Sequence, residues 1–340
     1  MIPKPAATAV STIPGWRVIE RLGPLRVLRV TAAAYFAAHL LRIAIFDAPE
    51  FLRPWRVSSD VSTYYAAGLR LDVGHPLYAL SPGDWPVPLF PPAVSYPFLS
   101  PPFMAVLWRP LSLLPADPVM TVWWLIGGIL CAATVLWTIR AGSAIAVAGV
   151  IVLAPFLAST TLSGDVNAYL VPLLFACWWS SAAGRDGAAG ALASLASAIK
   201  LTPVSLAWWL LVRDRRRGFA AFVLTSAGLA GFSLLGAGLD NHLTYLTVSR
   251  SVGADALSPF SVPELLRAAG LEALAPLAIP GVAVASIAAI WALRRRPRAS
   301  FAAAAVAAVF VSPVVHAVTL SLLLAAVAPA VPLPGWPRRT

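Results

Sequence analysis

Charged residues are scarce in this chain of 340 residues, making up 11% of it. A typical soluble domain carries about 25%. Cysteine is scarcer still, since the two present, Cys131 and Cys177, both lie in apolar stretches and form no disulfide or metal-binding pattern. These shortages exclude a soluble enzyme, a disordered chain and a disulfide-stapled scaffold.

Long apolar stretches with few or no charged residues take up most of the sequence. Hydrophobic residues account for 59% of the chain, and the mean hydropathy is +0.80. One membrane crossing needs about 20 such residues. The stretches lie at 28–46, 101–115, 118–139, 141–164, 166–184, 218–239, 273–293 and 299–337, the last long enough for two crossings. The pattern predicts an all-α polytopic helical membrane protein with about 9–11 membrane helices.

The segment 187–212 allows two interpretations, because Lys200 interrupts an otherwise uncharged run. It is either one long helix broken at Lys200 and Pro203 or two half-length helices that meet near Lys200. Since a proline disfavours helical backbone at the residue before it, Pro203 makes a break at Thr202 plausible.

Positive charge is concentrated in short clusters between the apolar stretches. The net charge is +11, and four arginines lie within 213–217 and four more within 294–298. Such clusters are typical of cytoplasmic loops rather than of a nucleic-acid-binding surface, so no nucleic-acid partner is expected. We predict one integral-membrane domain over 1–340. It comprises a cytoplasmic N-terminus (1–27), an outer loop with short helices (48–100) and a helical bundle (101–337), with a cytoplasmic C-terminus.

The orientation of 116–186 stays open between two alternatives. Simple alternation of crossings puts Asp165 inside, whereas the half-helix interpretation puts both Asp165 and Lys200 outside. The half-helix interpretation keeps the positive loops inside, and we favour it for that reason. It requires that 101–139 cross the membrane only once.

The first outer loop is long, proline-rich and aromatic. Eight prolines lie between Pro82 and Pro102, so this part is not one continuous helix. We expect a structured cap at the membrane surface, because long ordered loops are commonly functional.

Asp60 is the first candidate for chemistry, at the start of a predicted short helix in this loop. The simpler explanation is a helix cap, formed by Ser59 or Asp60 and worth roughly 1 kcal/mol. The functional explanation is a general base at the membrane surface. Asp165 and Asn167 likewise form either a turn with a helix start or a polar cluster facing an outer cavity.

Lys200 and His316 are the other candidates inside apolar stretches. A charge at membrane depth needs an anion, a carbonyl shell or water, and an intramembrane ionisable residue is functional by default. The alternative for Lys200 is snorkelling to an interface, and the alternative for His316 is simple packing. No histidine has metal-ligand spacing, and no metal is expected.

Several motifs together resemble glycosyltransferase family 87, within the GT-C class of membrane glycosyltransferases. They are Asp60 to Tyr65, Gly74 to Tyr78, Phe90-Pro91-Pro92, Ser95-Tyr96-Pro97, Ser163 to Asn167, Ile199 to Pro203, and Ser312-Pro313 with His316. The family usually has Gly-Gln where this chain has Gly164-Asp165. The resemblance is to polyprenyl-phosphate-mannose-dependent α-mannosyltransferase-like proteins of actinobacteria and spans most of the chain.

The resemblance implies an inverting enzyme at the outer face of the plasma membrane, with an active site on that side. It would move a sugar, mannose above all, from a polyprenyl-monophosphate carrier to a lipid-linked or cell-envelope glycan, without a cofactor. Asp60 matches the family's catalytic base. The candidates for holding the donor phosphate are Lys200, His316, Arg56 and Arg70. The candidates for contacting sugar or acceptor are Tyr64, Tyr65, Tyr96, Asp165 and Asn167.

Three other functions remain open at this point. The nearest is an arabinofuranosyltransferase that uses polyprenyl-phosphate arabinose. A lipid-sugar transporter or flippase also has broken helices and a membrane lysine, and a non-catalytic scaffold is the third. A transferase should bring Asp60, Lys200 and His316 to one outward-facing cavity.

Overall fold

The computed structural model describes residues 23–46, 60–78, 98–251 and 258–332, and no side chain within 249–251. Helices make up most of these residues, and none of them lies in a strand. The α-helices are α1 (Pro24–Phe46), α2 (Asp60–Asp72), α3 (Pro102–Ser112), α4 (Ala116–Ala141), α5 (Ala144–Ser163), α6 (Asn167–Ala182), α7 (Asp186–Ile199), α8 (Ser205–Val212), α9 (Arg216–Ser251), α10 (Val262–Ala268), α11 (Ala275–Ala292) and α12 (Pro297–Phe310). The 3₁₀ segments are Thr202–Val204, Glu272–Leu274 and Ala317–Ala330.

The prediction of an all-α polytopic membrane protein is confirmed. Five helices among the described residues are long and apolar enough to cross a membrane. They are Pro24–Phe46, Ala116–Ala141, Ala144–Ser163, Arg216–Val248 and Glu272–Ala292. Shorter apolar helices are Asp186–Ile199, Thr202–Val212, Pro297–Phe310 and Ala317–Ala330. Helix α5 lies at the centre and packs against α1, α4 and the 3₁₀ segment Ala317–Ala330.

The segment 187–212 forms two half-length helices, as the favoured interpretation requires. Helix α7 ends at Ile199, and Lys200 is extended, with φ −146° and ψ 125°. The break therefore lies at Lys200 rather than at Thr202, which already begins a 3₁₀ turn. Pro203 is tolerated there because the first residues of a helix need no N–H partner.

The two halves form a hairpin whose tip is Lys200. Arg215, just after α8, pairs with Asp186 at the start of α7, with Nη1 and Oδ2 3.1 Å apart. The 14 residues of α7 rise about 21 Å, and the segment Thr202–Val212 rises about 16 Å. Lys200 is thus held deep in the bundle, far from the arginines at the open end of the hairpin.

Only one full-length span lies within 101–139, which the half-helix interpretation also requires. Helix α3 has 11 residues, too few for a crossing of about 20. Helix α4 has 26 residues and is apolar enough to cross. Helix α3 packs instead on α2, and Arg109 of α3 pairs with Asp72 at 2.7 Å.

Helix α9 is sharply kinked at Gly238, whose φ of 77° and ψ of 161° are not helical. This positive φ is open to glycine and strained for other residues. Carbonyl groups freed by the kink find side-chain partners. Asn241 donates to the Ala237 carbonyl at 2.7 Å, and a ring nitrogen of His242 lies 2.7 Å from the Gly238 carbonyl. The kink turns the second half of α9 toward the loop after α2, where Asn241 accepts the backbone N–H of Leu77 at 3.0 Å.

The predicted outer loop is described only in part. Helix α2 confirms the short helix expected to begin near Asp60. Most of the proline-rich part, and with it the predicted cap, lies outside the described residues, as do Arg56 and Tyr96.

Candidate active site

A cavity of about 370 Å³ lies where five parts of the chain meet. They are the N-terminus of α2, the linker before α3, the turn before α6, the tip of the α7–α8 hairpin and the linker after α12, and the second half of α9 adds a sixth part through Tyr245 and Val248. Its charged lining residues are Asp60, Asp165 and Lys200. The predicted convergence of Asp60 and Lys200 on one cavity is therefore observed.

Asp60 faces this cavity with a free carboxylate. It is the first residue of α2 and is exposed. Nothing within the described residues donates a hydrogen bond to its side chain, so the structure gives no support to Asp60 as the helix cap. Ser59, the other predicted cap, lies outside the described residues. The positive end of the helix dipole still favours its anionic form.

The surroundings of Asp60 weaken its acidity. Although part of the residue is exposed to solvent, desolvation of the carboxyl group by the surrounding protein and the negative charge of Asp165 raise the pKa of Asp60 to about 7, against the opposing effect of Lys200. A carboxylate with a pKa near neutrality is well suited to accept a proton at physiological pH.

Asp165 is fixed in the wall of the cavity by its own turn. Gly164 ends α5 in the left-handed conformation, with φ 71°, which residues with a side chain rarely adopt. Asp165 then accepts hydrogen bonds from the backbone N–H of Asn167 at 2.9 Å and from its side-chain amide at 2.7 Å. Both Asp165 carboxylate oxygens are thus bonded and immobile.

Asn167 is fully buried and joins Asp165 to Lys200 rather than lining the cavity. Its Oδ1 lies 3.4 Å from the Lys200 ammonium group, and Thr319 Oγ1 lies 3.3 Å from the same group. An ammonium group has three N–H donors, and two of them have these partners among the described residues. The expected sugar contact at Asn167 is corrected: Asn167 does not line the cavity, and it holds Asp165 and Lys200 in place.

His316 lies beside the cavity but does not line it. It precedes the 3₁₀ segment Ala317–Ala330, and its ring interacts electrostatically with Lys200 and Asp165. Ser312 and Thr319, on either side of it in sequence, do reach the cavity. His316 itself is therefore not among the residues that line the cavity, contrary to the expectation, whereas Ser312 and Thr319 are.

Tyr64 and Tyr65 separate, because adjacent helical residues point in different directions. Tyr64 lines the cavity, and its ring packs against Trp108 and Trp123 at centroid distances of 6.1 and 6.3 Å. Tyr65 instead donates its hydroxyl to the Leu114 carbonyl at 2.8 Å. The predicted sugar contact at Tyr65 is therefore corrected to a packing role.

Arg70 does not reach the cavity either. Ten residues of helix place it about 15 Å along α2 from Asp60. It is 8% exposed and donates to the Leu77 carbonyl at 3.3 Å, so it ties the end of α2 to the following loop. This corrects its predicted role as a phosphate ligand.

The cavity also contains polar residues that sequence reasoning missed. They are Ser100, Thr202, Tyr245 and Thr319. Thr202 lies close to the helix break at Lys200, and this position in the sequence could have identified it as a cavity residue. No sequence feature identifies Thr319, since a single hydroxyl residue in an apolar stretch is usually a packed residue. Among residues 23–46, 60–78, 98–251 and 258–332, no group of three or more His, Cys, Asp or Glu side chains forms a metal site.

Comparison with known proteins gives one match. The family model of glycosyltransferase family 87 matches residues 98–331, more than half of the chain. Asp165, Lys200 and His316 fall within the matched residues, and Asp60 precedes them. No curated protein and no solved structure gives a significant match.

Proposed function

This chain belongs to glycosyltransferase family 87, and we propose that it transfers mannose from a polyprenyl-monophosphate carrier at the outer face of the plasma membrane. The proposed acceptor is a hydroxyl of a lipid-linked or cell-envelope glycan. The observation behind this proposal is one cavity that contains both a membrane lysine and a carboxylate without a hydrogen bond from the described residues. A carboxylate can take a proton, and a cation can stabilise a departing phosphate.

The proposed reaction is an inverting displacement. The acceptor oxygen forms a bond to the anomeric carbon as Asp60 takes the acceptor's hydroxyl proton. The bond between the anomeric carbon and the phosphate oxygen breaks, and both bonding electrons leave with polyprenyl phosphate. Lys200 stabilises the negative charge that grows on that oxygen, and no cofactor takes part in this scheme.

Apolar residues at the same cavity favour a lipid-linked donor over a soluble one. Leu201 and Val204 flank the hairpin tip and line the cavity, yet they are 49% and 53% exposed. Exposed apolar side chains beside a lysine suit a ligand with an anionic head and a prenyl tail. The enzyme is membrane-embedded, so such a tail would remain in lipid.

The arginine clusters support an outward-facing site. Arg213 donates a hydrogen bond to the Arg294 carbonyl at 2.5 Å, so the two predicted cytoplasmic clusters are adjacent. Lys200 lies about 16 Å away along the segment Thr202–Val212, in a hydrocarbon core about 30 Å thick. Lys200 therefore lies about half way across that core, and we propose that the cavity opens to the face opposite the arginines, which is the outer face, with both termini cytoplasmic.

The direct test is sugar transfer in membranes that contain this chain. We expect radiolabelled mannose to pass from polyprenyl-phosphate mannose to lipid-linked or glycan material, and not to do so in matched membranes without the chain. If only arabinose is transferred, from polyprenyl-phosphate arabinose, the donor is the arabinose lipid and not the proposed mannose lipid. Transfer from neither donor would contradict the proposed donor class.

The acidity of Asp60 predicts a pH dependence. Transfer should slow as the pH falls below about 7, approaching tenfold per pH unit, because protonated Asp60 accepts no further proton.

The neighbours of Asp60 predict how this pH profile changes in variants, since Lys200 lowers the pKa of Asp60 and Asp165 raises it. Replacing Lys200 by methionine should therefore move the inflection to higher pH, and Asp165→Asn should move it to lower pH. A rate that is flat between about pH 5.5 and 8 would contradict the role of Asp60.

A further inference from the structure

One hydroxyl group at the cavity has no partner within the part of the chain that the structure describes. Thr202 Oγ1 is buried and makes no hydrogen bond, although Thr202 lines the cavity. Buried hydroxyl groups in native proteins are almost always hydrogen-bonded, and an exception calls for a reason. A missing ligand is such a reason.

The helix break explains why the chain itself does not satisfy this hydroxyl. Buried threonines elsewhere donate to the carbonyl one turn earlier: Thr138 to Thr134 at 2.8 Å and Thr161 to Leu157 at 2.7 Å. Thr202 begins a new helical segment two residues after the extended Lys200, so no helical turn precedes it. Its hydroxyl group therefore has no partner within the described part of the chain.

The surroundings of Thr202 indicate which chemistry would use it. Lys200, two residues earlier, lines the same cavity. Leu201 and Val204, on either side of Thr202, line the cavity with exposed apolar surface. Thr202 thus lies where a cation meets apolar surface, which is where the phosphate of an anionic lipid would join its chain.

We propose that Thr202 is a donor-binding residue whose hydroxyl group donates a hydrogen bond to a phosphate oxygen of the polyprenyl phosphate, beside Lys200. The inference rests on the proposed function, because that function supplies the phosphate. The Thr202 hydroxyl group would be a neutral hydrogen-bond donor beside the charged ammonium group of Lys200. A hydroxyl donor bonds strongly to an ionised acceptor, so its removal should weaken binding measurably.

The test compares three variants of the full-length protein, with decaprenyl phosphate as the probe. Thr202→Val keeps the side-chain shape without the hydroxyl group and should bind the probe about tenfold more weakly. Without ligand it should unfold at the wild-type temperature or above, because only an unpaired hydroxyl group is lost. Thr202→Ser keeps the hydroxyl group and should bind within about twofold of wild type. Thr134→Val, which removes a hydroxyl group bonded to Leu130 at 2.8 Å in α4, should bind like wild type.

The possible failures are distinguishable. Wild-type affinity in Thr202→Val would overturn the inference and leave the proposed function intact. Weaker binding together with a lower unfolding temperature in the absence of ligand would show that the hydroxyl group is structural, which also overturns it. If wild-type protein does not bind decaprenyl phosphate at all, the proposed donor class fails and the inference fails with it.

Discussion

Asp60→Asn is expected to slow sugar transfer by about 10²–10⁴-fold, the usual contribution of a general base. Asparagine is a helix cap as good as aspartate, so this change removes the base and preserves any capping. The Asp60 carboxylate has no hydrogen bond within the described ranges, so the change breaks no hydrogen bond to those residues. The measurement is transfer from polyprenyl-phosphate mannose per amount of folded protein.

Asp72→Asn is the matched control for this variant. Asp72 is the last residue of the same helix and pairs with Arg109 at 2.7 Å, away from the cavity. Its replacement should cost some stability and leave the rate per folded molecule close to wild type. If Asp60→Asn retained the full rate, Asp60 would not be the base.

Lys200→Met is expected to reduce kcat/KM for the lipid donor by about 10²–10³-fold, since a cation bonded to an anionic partner commonly contributes about 2–5 kcal/mol. The change removes the positive charge at the hairpin tip and leaves Asp60 and Asp165 without a compensating cation. The proposed phosphate would then approach two carboxylates. Donor titration in membranes should show the loss in KM and kcat together, because the charge on phosphate grows as the bond breaks.

Arg216→Met removes the same charge from a different place and serves as the control. Arg216 is 88% exposed and pairs with the exposed Asp214 at the end of the bundle away from the cavity. Surface ion pairs of this kind contribute little, so kcat/KM should stay within about twofold of wild type. Equal losses in the two variants would indicate a general effect of charge on expression or insertion, and Lys200 would lose its proposed role.

The helices were predictable from sequence because a membrane leaves the chain little choice. Backbone groups in lipid must be bonded within the segment, so an apolar run of sufficient length becomes a helix whatever its neighbours are. Spans such as 118–139 and 141–164 therefore appear within a few residues as α4 and α5. The break at Lys200 was equally local, since a charge and a nearby proline mark it.

The orientation of side chains was not predictable, for the opposite reason. Long helices that are apolar on every side give no amphipathic signal of which face meets a neighbour, and in a short helix two adjacent aromatic residues give none either. Tyr64 and Tyr65 were equal candidates in sequence, and only the packing of α2 against α3 sends one to the cavity and the other to Leu114. Asn167 was likewise expected to meet sugar, yet the turn at Gly164 directs it toward Asp165 and Lys200.

The sequence alone determined the class of protein, its helices, the hairpin break and the few ionisable residues in apolar surroundings, because each depends on local composition and on the cost of charge in lipid. Only the tertiary structure decided which of those residues share a cavity. Asp60, Asp165 and Lys200 come from three distant segments, and Thr202 and Thr319 are ordinary hydroxyl residues until the fold brings them beside Lys200. Their proximity arises from contacts between helices, which no local pattern records.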